Sequence, residues 1–195
     1  MKRFERLRAV ALPVPQPNLD TDQIIPARYL QKLRSENFGT YLFRDLRYSR
    51  DGSENPEFLL NQSAYRDAQI IVAERNFGCG SSREHAVWAL ADFGIRAVIA
   101  PSFGDIFQSN ALKNGLLPVI LPVAVVADAM AALIAKPGST IDVDLDAQTV
   151  APPDGSVHAF AVDPFSRHCM LQGIDELDYT LTQVERIAQF ERRCE

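Results

Sequence analysis

The chain has 195 residues, of which 47% are hydrophobic and 23% are charged, and its formal net charge is -5. These values are typical of one globular domain, expected to cover residues 1–195, and the acidic balance argues against a nucleic-acid-binding surface. No apolar run approaches the length of a membrane span, and the basic N-terminus lacks the apolar stretch of a signal peptide. We therefore expect a cytoplasmic protein.

The first third of the chain carries weak signals. Residues 6–12 alternate weakly, which predicts a first strand, and the proline-rich segment 13–26 is predicted to form turns. The stretch 27–63 mixes arginines with aromatic residues and shows only partial helical periodicity. It could form a mobile lid or a specificity loop, and it could equally be a solvated surface.

The middle of the chain alternates between strand and helix patterns. Apolar runs at 68–73, 95–100 and 116–121 predict buried strands. Helical patterns separate them, one ending at Gly94 and one covering 102–114. This order predicts an α/β fold with a parallel βαβαβ core, whose ligand sites lie at the carboxyl ends of the strands.

The last third changes character, because its strands alternate cleanly and so expose one face. The predicted elements are a helix at 125–135, a β-hairpin or meander with strands 140–145 and 156–161, a loop at 163–173, and a C-terminal amphipathic helix over 177–190.

One turn, Asn76-Phe-Gly-Cys-Gly-Ser-Ser-Arg-Glu-His-Ala86, joins the first buried strand to the first helix. Ser81 and Glu84 have capping-box spacing, so the helix is predicted to begin at Ser81 or Ser82. Free N–H groups, the helix dipole and Arg83 would then converge on one spot suited to a carboxylate or phosphate. An ordinary capped helix with Arg83 in water is the alternative.

The three cysteines, Cys79, Cys169 and Cys194, are widely separated. They offer neither a disulfide framework nor a self-contained zinc or iron–sulfur site, so no metal is expected in this chain. Cys79 is interpreted as a small buried side chain rather than a nucleophile, because no pattern ties it to His85 as a base.

The turn closely resembles the signature of the swivelling domain of the aconitase superfamily. Two further blocks agree with that family, namely Asn18-Leu-Asp-Thr-Asp-Gln-Ile-Ile-Pro-Ala-Arg28, and Ala100-Pro-Ser-Phe-Gly-Asp-Ile-Phe-Gln-Ser-Asn110 continuing to Asn114-Gly-Leu-Leu-Pro118. Their order and the length of the chain resemble the small subunits of 3-isopropylmalate dehydratases. The resemblance implies a three-layer β/β/α swivelling fold.

The resemblance also implies roles for particular residues. Ser81 corresponds to the base that removes the proton next to a carboxylate, and Ser82 and Arg83 correspond to groups that bind substrate carboxylates. Asp22 matches an aspartate of the aconitase site. Arg28 is only a candidate for a further substrate arginine, and Leu30 is a candidate for an apolar wall. Other wall candidates lie in the same loop, namely Ile24, Ile25, Tyr29 and Leu33.

The implied reaction is the dehydration of 2-isopropylmalate and its rehydration to 3-isopropylmalate. A four-iron four-sulfur cluster, whose open iron binds the substrate, would have to belong to a separate large subunit. Two alternatives stay open at this point. The chain could be the small subunit of homoaconitase or another hydroxy-acid dehydratase, or a subunit that binds a dicarboxylate without chemistry.

Overall fold

A computed structural model describes residues 1–34, 36–80 and 83–194. Its strands are β1 (Arg6–Val14), β2 (Ile70–Ala73), β3 (Ala97–Ala100), β4 (Leu117–Ile120), β5 (Thr140–Asp144), β6 (Thr149–Ala151) and β7 (His158–Ala159). Its α-helices are α1 (Thr21–Ile24), α2 (Arg44–Arg47), α3 (His85–Phe93), α4 (Asp105–Lys113), α5 (Val123–Ala135), α6 (Pro164–Gln172), α7 (Glu176–Thr182) and α8 (Val184–Cys194). Short 3₁₀ helices lie at Ala27–Tyr29, Phe38–Tyr41 and Leu59–Asn61. Among these described helices, none is long and apolar enough to span a bilayer.

The strands form a mixed sheet in the order β4-β3-β2-β1-β5-β6-β7. Strands β1 to β4 are parallel, and β5 to β7 form an antiparallel meander that joins β1 through β5. The four residues of β2, Ile70–Ala73, are all buried, as expected of a parallel strand covered on both faces. The predicted α/β class, with its parallel core and its meander, is confirmed.

The alternation of side chains along the parallel strands divides the buried residues into two cores. On β2, Ile71 and Ala73 face the core that contains α3 and the segment 27–63. Ile70 and Val72 face the other core, which contains α5 and the meander. Because neighbouring residues of a strand point to opposite faces, one short apolar run supplies both cores.

The segment 27–63 is partly packed and partly solvated: several of its apolar residues belong to the first core, whereas Arg28, Leu33 and Arg50 are exposed. Phe38, Leu42 and Phe43 are fully buried, and Leu60 is nearly so. At Gly39 a Cβ atom would come within 2.7 Å of the Phe93 Cα atom, so the chain here lies directly on the end of α3. The segment therefore forms a layer over the outer face of that helix.

Three predictions for the last third need correction. The predicted loop at 163–173 is wrong, because α6 lies there; Asp163 caps it by accepting from the Ser166 N–H (2.9 Å), and Pro164 occupies its first turn. The single C-terminal helix is two helices, α7 and α8, separated at Gln183. The meander also contains β6, which was not predicted.

Candidate active site

Three turns meet at the carboxyl edge of the parallel strands, and we call them together the turn layer. Its members are residues 18–22 after β1, 76–80 after β2 and 102–104 after β3. Backbone hydrogen bonds join the first two: the Gly78 N–H donates to the Leu19 carbonyl (2.7 Å), and the Thr21 N–H donates to the Cys79 carbonyl (3.0 Å). These bonds fix two segments about 60 residues apart in the chain against each other. They lie at the carboxyl ends of the strands, where parallel sheets have their ligand sites.

The second and third turns are joined in the same way. The Phe77 N–H donates to the Ser102 carbonyl (3.1 Å), and the Gly104 N–H donates to the Phe77 carbonyl (2.9 Å). Gly78 has a φ of 72°, and a Cβ atom there would press into the side chain of Phe107, 2.8 Å from its Cβ atom. Glycine is therefore required at this position for both conformation and space.

Two of the predicted site residues come together on this layer. The Arg83 guanidinium forms a hydrogen-bonded ion pair with the Asp22 carboxylate, although 61 residues separate them. The Arg83 side chain is 28% exposed and that of Asp22 is 56% exposed, so the pair lies open to solvent on one side. Such a pair contributes only about 0–1 kcal/mol to stability, but it fixes the direction of the guanidinium. Ser81 and Ser82 lie outside the described residues.

The start of α3 differs from the prediction. The helix begins at His85, with Glu84 as an N-cap that makes no capping hydrogen bond through its side chain, so the predicted start at Ser81 or Ser82 is wrong. The Glu84 carboxylate instead accepts from the Asn114 side chain (2.8 Å), which in turn accepts from the Trp88 indole N–H (3.1 Å). The part of the predicted capping box that involves Ser81 itself lies outside the described residues.

Asn114 is a residue of the site's support that reasoning from sequence missed. It ends α4, and through Glu84 it ties that helix to the beginning of α3. The signal was available, because Asn114 opens the block Asn114-Gly-Leu-Leu-Pro118 that had been noted as part of the family resemblance. No local pattern indicated that its side chain would reach Glu84.

Cys79 lies in the turn layer with a neutral thiol. Its Sγ atom donates to the Asn18 carbonyl (3.4 Å), and burial, followed by the nearby Asp20 carboxylate, raises the pKa of the thiol. A raised pKa reduces the thiolate fraction and hence the nucleophilicity. The raised pKa agrees with the interpretation that Cys79 is not a nucleophile, but its side chain is partly accessible and not buried as predicted.

The residues that the structure describes offer no site that fits an iron–sulfur cluster. Within the described ranges, no group of three or more His, Cys, Asp or Glu side chains is arranged to hold a metal ion. The free thiols described, Cys79 and Cys169, belong to different regions, the turn layer and helix α6. Cluster ligation needs several cysteine sulfurs at one point.

The candidate substrate arginine Arg28 is not joined to the Arg83–Asp22 pair. Its guanidinium donates to both carboxylate oxygens of Asp45, one of them at 2.8 Å, and lies 4.8 Å from the centre of the Tyr29 ring. The Asp45 hydrogen bonds raise the pKa of Arg28 further above its ordinary value and lower the pKa of Asp45. In this conformation the charge of Arg28 is already balanced by Asp45.

The loop proposed to form an apolar wall divides into buried and accessible residues. Ile24 and Ile25 are fully buried in the first core, so these two candidates cannot present a wall to a ligand. Tyr29 stacks on Tyr41 with ring centres 4.2 Å apart. Leu30 is half-buried, which leaves part of its side chain accessible.

The fold and the candidate site indicate the class of protein to which the chain belongs. A parallel sheet carries an arginine–aspartate pair on a turn layer at its carboxyl edge, and residues 1–124 match the family model described as the aconitase C-terminal domain. A second family model, described as LeuD_N, matches residues 128–164.

Comparison with individual relatives identifies the family within this class of proteins. The 3-isopropylmalate dehydratase small subunit of Rhodospirillum centenum is 53% identical over 193 residues, which cover 99% of this chain and 95% of the relative. That of Dinoroseobacter shibae is 50% identical and covers 100% and 96%. The crystal structure of 3-isopropylmalate dehydratase from Methanocaldococcus jannaschii has a TM-score of 0.67 and 26% identity, covering 95% of this chain and 99% of that one. The chain belongs to the family of 3-isopropylmalate dehydratase small subunits.

Proposed function

We propose that this chain is the small subunit of a 3-isopropylmalate dehydratase of leucine biosynthesis, a hydro-lyase that converts 2-isopropylmalate to 3-isopropylmalate. The observation that carries the proposal is the Arg83–Asp22 pair on the turn layer, in a chain about half identical to relatives of that name. The substrate is a dicarboxylate, and a guanidinium held at the edge of a parallel sheet suits a carboxylate through paired N–H donors.

We assign the chemical steps to the two members of this pair and to Ser81 and Ser82, which precede Arg83 in the sequence. Ser81 would remove the proton from the carbon next to a carboxylate, and the hydroxyl group would leave the neighbouring carbon as the alkene forms. Water then adds with the opposite orientation, which moves the hydroxyl group by one carbon. Ser82 and Arg83 would hold the carboxylates throughout, and Asp22 would orient Arg83 until the substrate arrives.

The serine base sets a physical requirement. An alkoxide is strongly basic, so its use near neutral pH needs donors and positive charge around the oxygen. Arg83, two residues from Ser81 in the sequence, supplies such a charge, and its side chain is 28% exposed. This partial burial supports the assignment, because a charge acts more strongly where water is partly excluded.

We propose further that the complete enzyme requires a large subunit, which carries the four-iron four-sulfur cluster. The name of the relatives as small subunits supports a larger partner. The lack of a fitting cluster site among the residues described here supports placing the metal on that partner. A cytoplasmic location, where thiols such as Cys79 stay reduced, is part of the same proposal.

The experiment is to purify the chain alone and together with its large subunit, and to measure iron content and 2-isopropylmalate turnover. We expect the isolated chain to contain no iron and to be inactive, and the pair to be active. Cluster-dependent activity in the isolated chain contradicts the need for a partner. Turnover of homocitrate but not of 2-isopropylmalate by the pair contradicts the proposed substrate.

We also propose that Leu30 faces the isopropyl group. The side chain is half-buried in the loop after α1, and an arginine there would place a charge against an apolar group at a cost of several kcal/mol. Leu30→Arg should therefore lower kcat/KM for 2-isopropylmalate much more than for homocitrate. Leu33→Arg is the matched control, because Leu33 is 71% exposed and should tolerate the charge. Equal losses on both substrates would contradict the role of Leu30.

A further inference from the structure

Arg47 is a buried cation without a carboxylate partner. It is the last residue of helix α2, and only 8% of it is exposed. Its guanidinium forms no ion pair with any residue that the structure describes. Removing an unpaired charge from water is strongly unfavourable, and buried charges in proteins are normally paired. The missing counter-ion of Arg47 therefore needs an explanation.

Two acidic side chains of the same segment are already paired with other arginines. Asp45, two residues before Arg47, accepts from the Arg28 guanidinium through both carboxylate oxygens. Glu54 accepts from Arg66, again through both oxygens. A two-pronged pair of this kind satisfies the carboxylate and the guanidinium together. Neither acid is free to become the counter-ion of Arg47.

The neighbours of Arg47 hold its guanidinium in place. The Nε–H group donates to the Asn61 side-chain oxygen (3.1 Å), and the Asn61 amide donates to the Arg47 carbonyl (2.6 Å). The central carbon of the guanidinium lies 5.1 Å from the centre of the Tyr48 ring and 5.2 Å from that of the Phe93 ring. Guanidinium groups stack favourably on aromatic rings. The group is thus oriented before any ligand binds.

The two terminal nitrogens of Arg47 remain available as donors. Among the described residues, Asn61 is the hydrogen-bond partner of the guanidinium, and it uses the Nε–H group alone. No fully enclosed side-chain nitrogen or oxygen in the described part of the chain lacks a partner. The terminal nitrogens of Arg47 must therefore reach the surface, although most of the residue is buried. They form an accessible fork of N–H donors on a largely buried charge.

A second arginine adds positive charge at the same place. The Arg44 guanidinium lies 4.1 Å from the centre of the Tyr48 ring, which Arg47 also contacts. Within the described ranges Arg44 forms no ion pair either. Burial is the main cause that lowers the pKa of Arg47, and the nearby charge of Arg44 lowers it further. Both effects disfavour a positive charge that a bound anion would stabilise.

We propose that Arg47, with Arg44 beside it, binds an oxyanion, which is a carboxylate or phosphate group that meets the accessible N–H fork edge-on. A planar fork of paired donors matches two oxygens of such a group. The oxyanion site comprises Arg44, Arg47, Tyr48, Asn61 and Phe93. None of these residues belongs to the turn layer or to the Arg83–Asp22 pair.

Two sources supply the chemistry that this oxyanion site recognises. A small anion from solution would bind the isolated chain, and this source does not depend on the proposed function. An Asp or Glu side chain of the large subunit would bind only on assembly, and this source rests on the proposed function. The two therefore differ in the sample in which Arg47 finds its counter-ion.

The alternative is that Arg47 only supports the segment 27–63, through its bond to Asn61 and its stacking on the two rings. Arg47→Met separates the two roles, because methionine keeps an unbranched apolar stem and removes the charge and the donors. A supporting role predicts the same loss of stability in every buffer. An oxyanion site predicts that the difference between wild type and variant depends on the anion.

The first measurement is thermal unfolding of the isolated chain in sodium chloride, phosphate and acetate at equal ionic strength. Two charge-assisted hydrogen bonds correspond to a dissociation constant on the order of 1 mM. At about 50 mM phosphate or acetate, the wild-type midpoint should then rise by roughly 5–9 °C over its value in chloride. Arg47→Met should rise by less than about 2 °C, the general effect of excluded salts. Anion binding at Arg83 is common to both proteins and cancels.

The second measurement, titration with the purified large subunit, identifies a partner carboxylate. In that case the isolated wild type responds to phosphate and acetate no more than Arg47→Met does. The variant then binds the large subunit about 30-fold or more weakly, and its affinity depends less on salt, because one charge pair is lost. Equal behaviour of the two proteins in both measurements overturns the proposal. Weaker association with an unchanged salt dependence, without an anion response, also overturns it.

Arg66→Met is the matched control. It removes an arginine of the same segment that is 52% exposed and already paired with Glu54. Its response to phosphate and acetate, and the salt dependence of its association, should equal those of the wild type. A loss as large as that of Arg47→Met would reflect general positive charge and overturn the assignment. If Arg47→Met does not fold, Arg47→Lys replaces it: the charge stays, the planar fork is lost, and the wild-type effect should fall by at least about half. A full effect in Arg47→Lys overturns the proposal.

Discussion

The turn layer and the C-terminal helices α7 and α8 differ in the burial of their apolar residues. In and around the turn layer, Leu19, Ile24 and Phe77 are fully buried. In the C-terminal helices, Leu181 is 60% exposed and Phe190 is 68% exposed. The helices have a regular amphipathic pattern, whereas the turns have none. The comparison shows that periodicity predicts the type of an element, while burial depends on which other segments reach it.

The difference has a structural cause. The three turns of the turn layer are tied to one another by backbone hydrogen bonds, and apolar residues in and around it, such as Leu19 and Phe77, therefore meet packed neighbours. Helix α8 has 11 residues and follows α7 at the chain's end. A helix of that length is marginal in water without tertiary packing. Substitutions in the two regions should therefore have very different consequences.

The largest effect is expected at Ser81, the proposed base, which follows the turn layer in the sequence. Ser81→Ala should reduce kcat of the reconstituted enzyme by about 10²–10⁴, the range for loss of a general base. Folding and assembly should be nearly unaffected, and size-exclusion chromatography of the complex provides that control. A correctly assembled variant with near-normal kcat would exclude Ser81 as the base.

The next comparison removes a phenyl ring from each region. Phe77→Ala should lower the free energy of unfolding by about 3–5 kcal/mol, because Phe77 is fully buried against Phe107 with ring centres 5.4 Å apart. Phe190→Ala should change it by no more than about 0.5 kcal/mol. Denaturant unfolding of both variants measures the difference, and similar losses would contradict the contrast between the regions.

Alanine substitutions at two glycines distinguish the cost of a strained backbone conformation from the cost of a steric clash. Gly78 and Gly155 both have positive φ angles, 72° and 81°, but a Cβ atom at Gly155 would meet nothing within 4 Å. Gly155→Ala should cost about 1–2 kcal/mol for the left-handed backbone alone. Gly78→Ala should cost about 1–3 kcal/mol more, because its Cβ atom would collide with Phe107. Equal costs in denaturant unfolding would mean that the turn layer can relax around Phe107.

The smallest expected effect is a pH dependence from His85. Burial, opposed by Glu84 and the Leu30 backbone, lowers the pKa of His85 in the folded chain. The unfolded chain then binds the proton more readily, so this contribution to stability is complete above an unfolded pKa of about 6.5 and is lost as pH falls through the folded value. Unfolding free energies of the wild type between pH 7.5 and 5 should fall more steeply than those of His85→Phe. Identical slopes would contradict a lowered pKa.

The sequence was most informative where apolar runs are short and bounded. The runs that became β2, β3 and β4 were predicted within two residues at each end, and Gly94 ends α3 as expected with a φ of 114°. Helix α6 was missed although Asp163, Pro164 and Gly173 are ordinary signals for a helix start and end. Its buried residues, Cys169 and Met170, are too few to produce a clear periodicity.

The ion pair between Arg83 and Asp22 could not be predicted from the sequence, although both residues were candidates. The motif resemblance identified Arg83 and Asp22 separately, but their ion pair depends on hydrogen bonds between distant turns. Helix α1, which carries Asp22, has four residues and is fixed by a capping box between Asp20 and Gln23. Four residues are too few to show a helical period, so local patterns could not reveal where the Asp22 carboxylate would lie.

The central claim is that Arg83 on the turn layer binds a substrate carboxylate. The most direct test is KM for 2-isopropylmalate in Arg83→Gln, compared with Arg75→Gln, which removes the same charge from an exposed residue after β2. The account predicts a rise in KM of about 10- to 150-fold for Arg83→Gln, the value of a charge-assisted hydrogen bond, and a change below about twofold for Arg75→Gln. Equal effects in the two variants, or an unchanged KM in Arg83→Gln, would contradict it.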